Sequence, residues 1–151
     1  MATRVLYFAY GSNMLSERLC SRVPSAQVIG RARLEDWRLV FNKRSRDGSA
    51  KANLTASLGD TTWGVLYEVD AQDLNKLDKI EGGYQRISVQ ICKPDGEKVT
   101  AATYVSTDVV DNQTAYEWYK NMVIAGAREH GLPQDYIAYL EGFPSQPSTT
   151  S

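Results

Sequence analysis

The 151-residue sequence predicts an α+β domain, a barrel or curled sheet with helices packed outside it. Three observations carry that expectation. Six or so strand-like segments follow one another through hairpin-like links, and the longest helical patterns come late in the chain. Strands and helices do not alternate strictly, so a doubly wound parallel sheet fits the pattern poorly. An apolar fraction of 42% and a charged fraction of 23% are ordinary for a globular chain, which at this length buries one core without staples.

The first element, Val5 to Tyr10, is a mostly buried, aromatic-rich strand, and a turn hands it over to a helix from about Met14 to Ser21. Pro24-Ser25 breaks the chain before a strand over Ala26 to Leu34. Trp37 to Phe41 alternates in part, and Lys51 to Leu58 and Thr62 to Val69 read as two strands separated by Gly59-Asp60. Asp70 is placed to cap a helix over Ala71 to Glu81, with Asp73 at the capping-box position and Gly82-Gly83 as the stop. Tyr84 to Lys93 alternates, Pro94-Asp95-Gly96-Glu97 is turn chemistry, and Val99 to Val105 completes a hairpin. Thr114, three residues before Glu117, opens a long helix to about His130, ended by Gly131. Pro133 suits the first turn of a last helix reaching Glu141. One domain over residues 1–143 is expected, with the Ser/Thr/Pro-rich segment 144–151 as a disordered tail.

The net charge of −1 gives no global reason to expect a nucleic-acid partner. Basic residues gather locally at Arg31, Arg33, Arg38, Lys43, Arg44, Arg46 and Lys51, but Glu35, Asp36 and Asp47 interrupt them. That cluster reads as a solvated face, with contact to an acidic partner as the alternative. The start MATRVLYFAY has too short an apolar run for a signal peptide, and no 18-residue apolar span occurs, so no membrane partner is expected. Cys20 and Cys92 are then reduced thiols of a cytoplasmic protein. A single histidine, His130, and two scattered cysteines make no zinc site, and no metal is expected. Chemistry in this chain falls to carboxylates, hydroxyls and backbone.

Two stretches stand out for chemistry. Gly11-Ser12-Asn13 lies where the first strand meets a helix, where free N–H groups serve carboxylates, phosphates or a developing oxyanion. A plain turn with a helix cap is the competing reading. In Asp73 to Gly83, helical geometry places Glu81 angularly between Leu74 and Leu77, so the apolar stripe ends in a carboxylate at the negative pole of the helix. Burial and dipole would both raise its pKa toward the range useful for proton transfer. A last-turn glutamate that turns out to water is the competing reading. Asp78 lies at the stripe's edge and is expected to stay solvated. Ser12 has no partner histidine in sequence reach, and Tyr119, beside Trp118, Met122 and Ala125, is either core or ligand.

In order along the chain, YFAYGSN from Tyr7's neighbourhood, PSA at Pro24, ARLEDWRLVF at Ala32, WGVLYEV at Trp63, LDKIEGG at Leu77 and YKNMVIAGAREHGLP at Tyr119 resemble the γ-glutamylcyclotransferase family. The resemblance covers about Leu6 to Leu140. It implies a mixed β-barrel with flanking helices and a reaction without cofactor. In that reaction a γ-glutamyl amino acid or peptide, a small-molecule substrate, becomes 5-oxoproline and a free amine. By the same resemblance Glu81 is the acid/base, the segment Tyr7, Phe8, Ala9, Tyr10, Gly11, Ser12 and Asn13 forms the substrate-binding loop, and Tyr84 and Tyr119 contact substrate. Alternatives left open are γ-glutamylamines or an acylated metabolite as substrate, and a non-catalytic binding module of the same fold. A homodimer is compatible with this reading.

Overall fold

The computed structural model describes residues 3–147. Five strands, β1 (Arg4–Ala9), β2 (Gln27–Arg44), β3 (Ala50–Asp70), β4 (Gln85–Cys92) and β5 (Lys98–Val105), close a barrel in the order β1-β3-β2-β4-β5. Neighbours run antiparallel except at the closing seam, where β5 lies parallel to β1. The barrel is therefore mixed, and closure leaves it no free edge. Four helices flank it: α1 (Ser16–Arg22), α2 (Ala71–Ile80), α3 (Glu117–Glu129) and α4 (Gln134–Glu141). Phe8, Leu39, Leu66, Tyr67, Ile91 and Leu140 are fully buried in one core.

The second and third strands are longer than their local patterns suggest. The segments expected as four strands form two, because β2 and β3 pair from Gln27↔Glu68 to Arg44↔Ala50 through three register shifts. Gly59-Asp60 does not separate strands. Gly59 takes a left-handed φ of 87° opposite Asp36, itself at φ 68°, and donates its N–H to Asp36 Oδ1 at 2.9 Å. The turn chemistry is real but is spent on a bulge in a long ribbon, a device that bends strands around a barrel.

Three expected caps are absent. Asp70 gives its carboxylate to Arg4 Nη1 at 2.8 Å, so α2 starts without a side-chain cap. Thr114 does not open α3. Its carbonyl accepts from Ala50 N and Gln146 Nε2, and a short strand β6 (Ala115–Tyr116) precedes the helix. Ser12 and Asn13 form a single 3-10 turn through Met14 and cap nothing with their side chains. The segment read as a disordered tail contains β7 (Ser145–Gln146), which pairs parallel with β6; residues 148–151 lie outside the described residues.

What positions the functional loop is close packing of α3. A Cβ added at Gly126 would lie 2.7 Å from Met14 Cβ and from Leu15 N, so glycine there lets the helix backbone press on the 3-10 turn. The same helix carries Tyr119 two turns earlier on a buried face.

Candidate active site

The stripe argument for α2 holds at Leu74 and Leu77, both buried, and Glu81 is the residue that ends the helix. Its own N–H still bonds Leu77 O at 2.8 Å, but its backbone leaves helical angles. Gly83, at φ 87°, turns the chain away. Lys43 Nζ donates to the Gly82 carbonyl at 3.1 Å, setting a cation at the negative end of the helix. The Glu81 side chain turns inward, 17% exposed.

Asn13 holds that carboxylate. Its Nδ2 donates to Glu81 Oε1 at 2.8 Å and to Tyr7 Oη at 3.0 Å. Arg22 Nη1 lies 3.6 Å from the same Oε1 and donates to Asn13 Oδ1 at 3.3 Å. Burial raises the Glu81 pKa above the usual glutamate value, while Arg22 and the Asn13 hydrogen bond work against the rise.

Glu81 sits where two spaces meet. A small inner recess of about 40 Å³ is lined by Tyr7, Tyr10, Tyr84, Tyr104 and Tyr119, by Gly11 to Asn13 and by Ala52. Outside it opens a vestibule of about 620 Å³ that shares Ser12, Glu81, Tyr84 and Tyr119 with the recess. The tyrosines are fixed through their hydroxyls: Tyr10 donates to Tyr104 O at 2.5 Å and Tyr84 to Ala52 O at 2.6 Å, while Tyr119 accepts from Ala52 N at 3.2 Å. Burial pushes the Tyr119 phenol up to about 12 and raises Tyr7, Tyr10 and Tyr84 well above the usual phenol value, so all four keep their protons at ordinary pH. Among the described residues no protein acceptor takes the amides of Gly11, Ser12 or Asn13. They are donors at the start of a helical turn, beside the recess.

The recess thus brings together Tyr7, Tyr10, Gly11, Ser12, Asn13, Glu81, Tyr84 and Tyr119. Phe8 and Ala9 are buried in the barrel wall and are not among its lining side chains. Phe8, one residue out of phase with Tyr7, packs where a Cβ on Gly64 would meet it at 2.7 Å. Gly11 has φ −108°, so a positive φ is not what demands glycine; a Cβ there would lie 3.2 Å from Ala52 Cβ and 3.4 Å from Tyr119 Oη. Asp78 is only half-buried but not free in water: it accepts from Tyr104 Oη at 2.5 Å and pairs with Arg86 at 2.8 Å.

Sequence reasoning missed the vestibule's cations. Arg18 and Arg22 come from α1, with Arg18 Nε donating to Ser12 Oγ at 3.0 Å. Lys43, Arg44, Arg46 and Lys51 belong to the basic cluster read as a solvated face; here they line the vestibule, while Arg31, Arg33 and Arg38 do not. The four-residue spacing that puts Arg18 and Arg22 on one helix face was the available signal. It needed the fold to aim it at Glu81.

An inward carboxylate with a raised pKa, phenol hydroxyls and unpaired backbone donors thus meet around one small recess. The AIG2-like family matches residues 61–140. Human γ-glutamylcyclotransferase is 36% identical over 145 residues, covering 90% of this chain and 77% of that protein, and the mouse protein of the same name is 35% identical over the same shares. A solved γ-glutamyl cyclotransferase structure superposes with a TM-score of 0.91 at 34% identity, covering 99% of this chain and 93% of that one. The chain belongs to the γ-glutamylcyclotransferases of the AIG2-like family. Among the described residues no helix is long and apolar enough to cross a membrane.

Proposed function

We propose that this chain is a cofactor-free cyclotransferase that releases 5-oxoproline from γ-glutamyl amino acids or peptides, with Glu81 as acid/base. Family membership supports the reaction class. The observation that carries the residue assignment is the inward carboxylate of Glu81, held by Asn13 and countered by Arg22, at the junction of recess and vestibule.

In this reading the γ-glutamyl group bends into the recess and the leaving amine points into the vestibule. Glu81 takes a proton from the α-ammonium and frees its lone pair. The amine nitrogen attacks the γ-carbonyl carbon, forming the ring C–N bond and an oxyanion. Free amides of Gly11 to Asn13 stabilise that oxyanion. As the oxyanion collapses, the γ-carbon–nitrogen bond to the leaving group breaks. Glu81 returns its proton to the departing nitrogen, the second amine proton follows, and Glu81 ends as a carboxylate. Attack within one molecule supplies much of the acceleration, up to about 7–11 kcal/mol in favourable cases, provided the protein holds the bent conformer.

The vestibule's cations favour an amine that bears a carboxylate over a simple amine. The test is 5-oxoproline release from matched γ-glutamyl dipeptides and γ-glutamylamines. Turnover of the dipeptides is expected; release from neither set would contradict the function, and faster release from the amines would contradict the preference.

A further inference from the structure

Around the vestibule seven cationic side chains face two carboxylates, Glu81 and Asp108. The two carboxylates are already engaged. Asp108 pairs with Arg44 at 3.0 Å and Glu81 lies against Arg22. Arg18, Lys43, Arg46, Lys51 and Lys79 therefore have no ion-pair partner among the described residues.

Lys51 is the most telling of them. It is half-buried, with Nζ 5.3 Å from the centre of the Tyr119 ring and 5.9 Å from that of Trp118. The carboxylate that acts on it most, Asp47, is occupied by Ser49 through N at 3.1 Å and Oγ at 2.6 Å. Holding an ammonium half out of water beside other cations is unfavourable unless an anion joins them. One carboxylate on the leaving amine leaves most of this charge unmatched.

We propose that the vestibule selects an acidic leaving group, an amino acid or short peptide carrying a second carboxylate, and that Lys51 is a specificity-determining residue for it. The proposal rests on the cyclotransferase reading. The second carboxylate approaches Lys51, with Arg18 on Ser12 and Lys43 over the Tyr84 ring lining the same space, and the exposed Arg46 and Lys79 adding a field that falls with salt. The aromatic rings that stack on Lys51 keep its ammonium in place while it waits for the anion.

The test compares γ-glutamyl-glutamate with γ-glutamyl-glutamine, which differ in one oxygen and one charge. In the wild type kcat/KM is expected to be about tenfold higher for the acidic dipeptide, chiefly through KM, with the ratio shrinking as salt is raised from low to about 0.5 M. In Lys51→Met the ratio should fall to near unity, whatever the variant's absolute rates. Arg46→Gln, on the outer rim, should lower it about twofold. A wild-type ratio near one with both dipeptides turned over would overturn the proposal and leave the cyclotransferase reading standing. A tenfold ratio that survives in folded Lys51→Met would overturn the role of Lys51. No release from either dipeptide would overturn both readings together.

Discussion

Two polar clusters draw on the same segment after β1, and they differ in what they face. Glu81, Asn13 and Tyr7 open on the recess. Ser16, Tyr67 and His130 close on themselves around the carbonyl of Met14: Tyr67 Oη donates to it at 3.0 Å and His130 Nε2 lies 2.9 Å from it, with Ser16 Oγ 3.1 Å from both Tyr67 Oη and His130 Nε2. A carbonyl only accepts, so the 2.9 Å contact with Met14 O favours the tautomer that carries its proton on Nε2, which is no base for Ser16. In that tautomer the serine–histidine pair is a tie and not a nucleophile with its base. The pair ties α3 to the loop, while the carboxylate across the loop keeps one oxygen near a cation and faces open volume. Access to open volume separates the first cluster from the second.

The largest effect expected is from Glu81→Gln. A sole proton shuttle should cost at least about 10²–10⁴ in kcat. The fold should not suffer. Burial raises the folded-state pKa of Glu81, so its contribution to stability is full below the unfolded value and is lost as pH rises through the folded one. At neutral pH the ionised group is a cost, and the glutamine variant should melt at an unchanged or higher temperature at pH 7. A folded variant with wild-type kcat would dissolve the contrast between the clusters.

Gly11→Val comes next. Its side chain meets Ala52 and Tyr119 and fills the recess, and a loss of more than about tenfold in kcat/KM is expected on soluble, folded protein. Tyr119→Phe sharpens the picture differently, because the hydroxyl both lines the recess and satisfies the buried Ala52 amide. KM should rise severalfold with a smaller change in kcat, and stability should fall by about 1–3 kcal/mol for the unpaired donor. A stability loss with unchanged kinetics would make Tyr119 a wall residue only. His130→Gln should have the smallest kinetic effect, within about twofold, while thermal unfolding shows a loss of about 1–3 kcal/mol.

Much of this arrangement was legible in the sequence because it rests on local rules. The α2 stripe pointed at Glu81, and the glycine pair showed where the helix must end. Asp70, Thr114, Ser12 and Asn13 misled as caps because the fold uses each of them otherwise: Asp70 with Arg4, the Thr114 carbonyl with Ala50 and Gln146, Ser12 with Arg18 six residues on, Asn13 with Glu81 and Tyr7. Local propensity gives way where the folded chain offers these polar groups partners within hydrogen-bond reach. The inner Tyr104 and the α1 arginines were out of reach for another reason. They join the site only when β5 closes against β1 and α1 folds over the loop, contacts between residues some 60 to 100 positions apart.

The most direct test of the proton-shuttle account is the pH profile of kcat/KM in the wild type and in Arg22→Leu. Ionised Glu81 must accept the substrate's proton, so activity should fall on the acid side with an apparent pKa above the ordinary glutamate value of 4.5. Arg22 holds that value down, so removing its charge should move the acid limb to higher pH, whatever happens to the maximal rate. An acid limb that stays in place in folded Arg22→Leu would show that the proton belongs to another group and contradict the assignment of Glu81.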